Sequence, residues 1–238
     1  MLYSGIQPLL GVESLTTMCY IVYMPSKHVV RHFEEGGIYH VFNRGVEKRD
    51  IFLDEQDYRI FLYYLYIYVV PLERVLIKHP HMPIRLRSKN LSPEIEILAY
   101  CLMPNHFHLL VKQNSFDGVS KLLKQLTNAH ARYFNKKYDR VGGLFQGRFK
   151  AVTIETNEQL LHTSRYIHLN PLVSDLTKDL KTYQWSSYLE YLNKKNDLIC
   201  SKETISFFIP SGKYEDFVTD QADYAKELEN IKHLAIDD

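Results

Sequence analysis

The stretch Ile95-Glu96-Ile97-Leu98-Ala99-Tyr100-Cys101-Leu102-Met103-Pro104-Asn105-His106-Phe107-His108-Leu109-Leu110-Val111-Lys112-Gln113 decides the fold. Two apolar, β-prone runs flank Pro104-Asn105, a pair suited to a tight turn, so the spacing predicts an antiparallel hairpin of residues 95–103 and 106–113. Alternate side chains of a strand share a face. Phe107 and Leu109 therefore point into a core, and His106 and His108 point away from it. Two imidazoles on one strand face make a bidentate platform, which needs a third ligand to hold a divalent metal. Spacing alone is weak evidence: with 11 histidines in 238 residues, about half of one such pair is expected by chance. His79-Pro80-His81 is a second copy, and proline bars it from a central strand, leaving its rings no fixed common face.

Upstream of the hairpin, Ile38 to Phe42 reads as a first strand ending at Asn43-Arg44-Gly45, after the punctuation of Gly36-Gly37. Phe52 to Val70 reads as a buried helix whose acidic start, Asp54 to Asp57, suits the helix dipole. Pro80, Pro83 and the basic Arg85, Arg87 and Lys89 make the link to Pro93 a loop or short irregular segment. Downstream, Asp117 to Tyr138 is an amphipathic helix with Val119, Leu122, Leu123, Leu126, Ala129 and Phe134 as its apolar stripe. Leu144 to Glu155 reads as a strand. Thr156 then opens a helix, with Gln159 placed for a capping box, that is expected to end at Asn170 because proline follows. Strand, helix, two strands, helix, strand, helix is the order of an α+β, ferredoxin-like (RRM-like) fold: an antiparallel sheet with helices on one face. The expected organisation is an extension over residues 1–23, a domain over 24–192 with its core at about 36–172, and an acidic, helical C-terminal extension over 193–238.

A hydrophobic content of 45% in 238 residues is enough to bury one full core. Cys19, Cys101 and Cys200 form no CxxC pair, so neither a disulfide framework nor a zinc ribbon is indicated, and a reducing, cytoplasmic setting is expected. The apolar run from Ile60 to Val70 is about half of what a membrane span requires, and the first 23 residues lack the basic start and small-residue cleavage site of a signal peptide. The net charge of +1 conceals an asymmetry. From 121 to 150, eight basic residues face only Asp139, a surface suited to nucleic acid or simply a solvated helix face. Residues 201–238 carry nine acidic side chains against four lysines.

The helix that begins at Thr156 supplies the second half of a site. At about 100° per residue, Gln159, His162, Thr163, Tyr166 and Asn170 fall within one arc, while Leu160, Ser164 and Ile167 lie on the other side. Tyr166 thus centres a polar face, where a core tyrosine would ride the apolar stripe. A free tyrosine has a pKa near 10, so about one in a thousand is phenolate at pH 7, and a nucleophilic role needs nearby positive charge or a base. A divalent ion held by two neutral imidazoles and the Asn170 carboxamide would keep its full charge and have open positions for phosphate oxygens. Mg²⁺ or Mn²⁺ suits such an oxygen-rich state. His162, one turn before Tyr166, could assist proton removal or simply pack.

These segments resemble the single-tyrosine HUH transposases, and among them the REP-associated tyrosine transposases of bacteria, an IS200-like group. The resemblance rests on Gly37-Ile38-Tyr39-His40-Val41 with Asn43-Arg44-Gly45, Ile51-Phe52 and Asp57-Tyr58, then Leu102 to Leu110 around the two histidines. It continues through Gly143 to Lys150, Tyr166 to Pro171 and Trp185-Ser186-Ser187-Tyr188. It implies cleavage of single-stranded or hairpin DNA by a tyrosine, leaving a 5′-phosphotyrosine and a free 3′-hydroxyl that can reverse or transfer the strand. Tyr166 takes the nucleophile position, His106 and His108 the metal positions and Asn170 that of the third ligand. Arg44, Lys124, Arg132, Gln146, Arg148 and Lys150 are the expected DNA-facing residues. Leu172 to Leu176 departs from the basic, alanine- and glycine-containing stretch common in the family, and relatives often begin near a Met-Pro such as Met24-Pro25.

Two other functions fit parts of the pattern. One is a domesticated DNA-hairpin binder in which the catalytic machinery is idle. The other is an RNA-binding module that uses the sheet as a stacking platform. Related enzymes build the site within one chain or across a dimer, so monomer and homodimer both stay open, with the monomer favoured if Tyr166 meets the histidines within one chain.

Overall fold

The computed structural model describes residues 33–195, 198–210, 212–223 and 225. The expectations for residues 1–23, for a start near Met24 and for the acidic tail beyond Ala225 lie outside the described residues. The chain runs through β1 (Ile38–Arg44), α1 (Glu55–Val69), α2 (Leu72–Lys78), α3 (Ile84–Arg87), β2 (Ile95–Met103), β3 (His106–Gln113) and α4 (Gly118–Lys137). It continues through β4 (Lys150–Ile154), α5 (Asn157–Val173), α6 (Tyr188–Tyr191), α7 (Glu203–Ser206) and α8 (Tyr214–Thr219). The four strands pair antiparallel in the order β2-β3-β1-β4. That order puts β3 and β1 in the middle of the sheet and β2 and β4 at its edges, as the ferredoxin-like reading requires.

The strand period sorts the sheet into two chemically different faces. Tyr39, Val41, Phe107, Leu109 and Val111 join Phe61 and Leu65 of α1 and Val119, Leu122 and Leu126 of α4 in one apolar cluster. Leu98, Cys101, Met103 and Leu110 pack instead with Leu160, Ile167 and Leu169 of α5 and with Tyr188, Ile205, Tyr214 and Val218 farther on. The helices expected on one face therefore divide between two: α1 and α4 cover the first, and α5 with the C-terminal elements covers the second. The reason is visible in α5 itself. Its apolar residues need a partner surface, and the histidine-bearing face offers Leu98, Cys101, Met103 and Leu110.

Several element boundaries moved. The link after Pro71, expected to be irregular, holds α2 and the single turn α3, each starting directly after a proline, where a missing N–H costs nothing. The strand expected over 144–155 is continuous only over Lys150–Ile154, preceded by one isolated antiparallel bridge of Phe145 to Gly45. Gly147, at φ +66°, turns the chain out of extended geometry, while Leu144 stays buried and accepts a hydrogen bond from the Val46 N–H. α5 continues through Pro171 to Val173 instead of ending at Asn170. The turn after it closes on the Pro171 carbonyl, which accepts from Leu176 N–H, with Asp175 at φ +52°. Gly45 is required by close approach, since a Cβ there would lie 2.0 Å from the Arg49 carbonyl oxygen.

Two polar networks tie the layers together. At the start of α1, Asp54 and Asp57 form a reciprocal capping box, and the buried Asp57 also accepts from Tyr133, Lys137 and Tyr138 of the α4 end. Burial alone would raise the Asp57 pKa, but hydrogen bonds from Lys137, the Leu53 N–H and the tyrosines hold it below the ordinary range. On the other side, Trp185-Ser186-Ser187-Tyr188 pairs with the free edge of β2. Leu102 N–H donates to the Trp185 carbonyl, Ser187 N–H donates to the Tyr100 carbonyl, and Ser187 Oγ accepts from Tyr100 N–H. His168 of α5 reaches Ser187 Oγ at 2.7 Å and the Tyr214 hydroxyl at 2.7 Å, so the helix is pinned to the edge segment and to α8. Covering an edge strand in this way removes an open template for aggregation.

Asp57→Ala removes a charged acceptor of several buried hydrogen bonds and is expected to cost about 2–3 kcal/mol, read as a lower urea midpoint with an unchanged m-value. The Asp57 contribution is complete above the unfolded aspartate pKa of about 3.9 and is lost as pH falls through the lower folded value.

Candidate active site

β3 is the central platform of the site. Its register with β1 sets Phe42 opposite His108 and Arg44 opposite His106. Directly opposed residues of an antiparallel pair share a face. His40, two residues before Phe42, shares that face, and the β4 register adds Lys150 opposite Phe42. Above this surface lies α5, which carries Tyr166. The Tyr166 ring stands edge-on to His108, with centroids 5.6 Å apart, and to His40 at 6.0 Å. His106 and His108 are 4.9 Å apart between centroids, with perpendicular rings. The two halves separated by about sixty residues thus meet within one chain.

Hydrogen bonds orient the rings. His106 Nδ1 lies 2.5 Å from Asn105 Oδ1, and a carbonyl oxygen only accepts, so Nδ1 carries the proton and Nε2 keeps its lone pair. His108 Nδ1 lies 2.9 Å from His40 Nε2. His108 Nε2 and His40 Nδ1 are buried with no hydrogen-bond partner. Burial pushes His40 down to about 3. Burial, and then the Arg44 guanidinium, push His106 down to about 4. His108 is driven well below the ordinary range by burial and by its two histidine neighbours. All three rings are neutral at pH 7, the form that can ligate a metal.

Asn170 sits one turn beyond Tyr166, is 8% exposed, and donates its side-chain N–H to the Tyr166 carbonyl at 3.0 Å. The amide nitrogen is thereby committed, and Oδ1 is the atom left for ligation. Among the described residues, no three His, Cys, Asp or Glu side chains are arranged to hold a metal ion. A cation on His106 and His108 therefore needs a donor of another type, and a carboxamide oxygen fits. The unpartnered, buried His108 Nε2 and the free Nε2 lone pair of His106 fit it as well. His162 is half-buried, and burial followed by the Arg165 charge lowers its pKa. The second pair, His79 and His81, lies in the turn between α2 and α3, with His79 packed on Tyr63 of α1.

The expected DNA-facing residues fall into two groups. Arg44 and Lys150 are exposed on the histidine face, and Gln146 is held to Arg44 through an Nε to Oε1 hydrogen bond of 2.5 Å. Arg148 is exposed on the segment between them. Lys124 and Arg132 lie elsewhere, on the solvent side of α4, lining an open groove of about 530 Å³ with Lys89, Gln125, Asn128 and Asn135. α4 packs on the sheet face opposite Tyr166, so the basic run from 121 to 150 is not one continuous surface. His40 was absent from the sequence-derived site. Its signal was faint, an imidazole two residues from Phe42 on a strand, and it became meaningful only when the register joined β1 to β3.

Four buried, neutral rings, His40, His108, His130 and His168, make a pH prediction with a definite sign. In the unfolded chain each binds a proton near pH 6.5, whereas in the folded chain His40 and His168 do so at about 3 and His130 at about 4. The unfolded state therefore holds more protons below pH 6.5, and stability falls as pH falls, by roughly 1 kcal/mol per ring over the first unit. Urea midpoints measured in EDTA at pH 7.5 and 5.5 should differ strongly; equal midpoints would show that the rings are protonated in the fold.

Residues 79–170 match the family model described as Transposase IS200 like. A candidate REP-associated tyrosine transposase of Haemophilus influenzae is 31% identical over 104 residues, a span of 39% of this chain and 58% of that protein. The chain thus aligns with little more than half the length of that relative. A solved structure of a REP-associated tyrosine transposase bound to a REP hairpin is similar at 16% identity with a TM-score of 0.49, over 69% of this chain and 84% of that one. The segment that carries His106, His108, Tyr166 and Asn170 is thus similar to IS200-like transposases, and part of the chain is similar to a REP-associated tyrosine transposase.

Proposed function

We propose that the protein is a divalent-metal-dependent nuclease and strand transferase of single-stranded DNA, acting at hairpin or palindromic elements with Tyr166 as nucleophile. The observation that carries this reading is the placement of the Tyr166 ring against His108 and His40 by a helix and a sheet of the same chain. It supports a site built in cis and a monomer as the minimal active unit. His106 and His108, through Nε2, and Asn170, through Oδ1, are the residues that would hold Mg²⁺ or Mn²⁺. Such an ion would supply Lewis-acid stabilisation of charge on the scissile phosphate.

The chain's own residues account for the remaining steps. Arg44 and Lys150, on the histidine face, attract the phosphate backbone, and Gln146 fixes the direction of the Arg44 guanidinium. α5 aims the Tyr166 hydroxyl from a rigid element whose buried side is locked by Ile167 and His168, which suits a nucleophile that must approach phosphorus in line. The Tyr166 oxygen forms a bond to phosphorus as the bond to the 3′ oxygen breaks. The phenol proton leaves and the departing oxygen gains one, so the step consumes no net proton and yields a 5′-phosphotyrosine and a free 3′-hydroxyl. Attack by a 3′-hydroxyl reverses the step or joins a new strand.

Incubation with a labelled hairpin carrying a single-stranded flank should give a covalent protein–DNA adduct that requires Mg²⁺ or Mn²⁺. Tyr166→Phe should abolish the adduct and retain hairpin affinity and the unfolding midpoint. An adduct formed by that variant would sink the assignment of the nucleophile. Hairpin affinity with no adduct under either metal would identify an idle, domesticated binder instead. Hairpin binding should also weaken steeply with added salt, because phosphate contacts release counterions; an unchanged Kd between 50 and 200 mM salt, the range over which such contacts normally cost orders of magnitude, would exclude a phosphate-dominated surface.

A further inference from the structure

The contact between His40 and His108 has no role in the nucleophile reading, yet it is a buried hydrogen bond made by one of the proposed metal ligands. His40 Nε2 lies 2.9 Å from His108 Nδ1, the rings are near-parallel at 29° with centroids 5.1 Å apart, and His40 is 1% exposed. A hydrogen bond between two neutral imidazoles permits two arrangements. In one, His40 Nε2–H donates to His108 Nδ1, which places the single N–H of His108 on Nε2 and blocks that atom as a ligand. In the other, His108 Nδ1–H donates to His40 Nε2, and His108 Nε2 presents a bare lone pair. His40 Nδ1 and His108 Nε2 are both buried without partners, so each arrangement leaves one orphaned N–H and one orphaned lone pair. The protein alone gives neither a clear advantage.

From this we infer that His40 is a positioning residue for the metal site: it accepts the Nδ1 proton of His108, so that a cation arriving at His108 Nε2 selects the ligating tautomer. A cation removes the degeneracy because only the second arrangement gives it a lone pair. His106 has the same logic from a different acceptor, since Asn105 Oδ1 takes its Nδ1 proton. The two histidines of the pair are then both committed to ligation through Nε2, one by a carboxamide and one by a third histidine. Partners that fix the tautomer of a ligating imidazole are worth about 10–100-fold in metal affinity. The inference rests on the metal reading of His106 and His108.

The test compares Mn²⁺ affinity, measured by titration of the free-ion EPR signal without DNA, in the full chain and in His40→Phe, His40→Gln and His108→Ala. His40→Phe keeps a ring in the buried space and removes the acceptor, and should lose about 10-fold or more in affinity. His40→Gln carries a carbonyl oxygen near the former Nε2 position, and should return affinity to within about threefold of the parent, a rescue not expected of a purely space-filling residue. His108→Ala should lose binding; if it binds Mn²⁺ like the parent, the metal reading falls and this inference with it. If His108→Ala loses binding while His40→Phe matches the parent, the metal reading stands and the role of His40 is overturned. Imidazole ¹⁵N spectra of the unmutated protein saturated with diamagnetic Mg²⁺ decide independently of folding in the variants. His108 protonated at Nδ1 supports the inference, and His108 protonated at Nε2 overturns it.

Discussion

Everything in this molecule that bears on chemistry depends on the twofold period of β3, clamped between β1 and β2. A strand in the middle of a sheet cannot slip by one residue without exchanging its faces. Here such a slip would bury His106 and His108 among Phe61 and Leu122 and expel Phe107 and Leu109. The apolar cluster on the α1 and α4 side therefore fixes the histidine face as firmly as any contact made by the histidines themselves. Phe107, Leu109 and Val111 are all fully buried. Each buried side chain of this size contributes about 1.5–3 kcal/mol, so the three together outweigh the roughly 1–3 kcal/mol cost of one unsatisfied buried polar group.

That surplus allows the other face to hold groups that a core would not choose. His40 and His108 lie against Tyr166, with His106 packed on His108, and two of their buried nitrogens have no partner. Unsatisfied buried polar atoms are rare in folded proteins, and where they cluster they mark strain or a missing ligand. The desolvation that keeps the rings neutral also prepares them as ligands, because a protonated imidazole has no lone pair to offer. Stability and site chemistry thus draw on the same burial, which is also why the fold should weaken once the surrounding pH protonates the unfolded chain.

The C-terminal elements complete this arrangement. α5 would have no fixed angle on the sheet if it rested on Leu160, Ile167 and Leu169 alone. His168 joins it to Ser187, and Ser187 is itself bonded to β2, so the helix carrying Tyr166 is registered against the strand next to β3. The Trp185 to Tyr188 segment is thereby explained as a structural clamp on an edge strand, and His168 belongs to the scaffold although it lies between Tyr166 and Asn170 in sequence.

By itself the sequence determined the local elements and their faces: the hairpin around Pro104-Asn105, the apolar stripe of α4, the Thr156 cap, and the polar arc centred on Tyr166. These follow from periodicity, capping and turn chemistry, which act over a few residues. The segment expected to be loop between Pro71 and Pro93 and the strand expected from Leu144 were misjudged because burial of Val75 and a left-handed Gly147 overrode local signals. Only the tertiary structure decided that helices cover both sheet faces, that Lys124 and Arg132 lie across the sheet from Tyr166, and that His40 bonds to His108. Those facts depend on strand register and layer packing between residues far apart in the chain, and no local pattern encodes which distant face a side chain will meet.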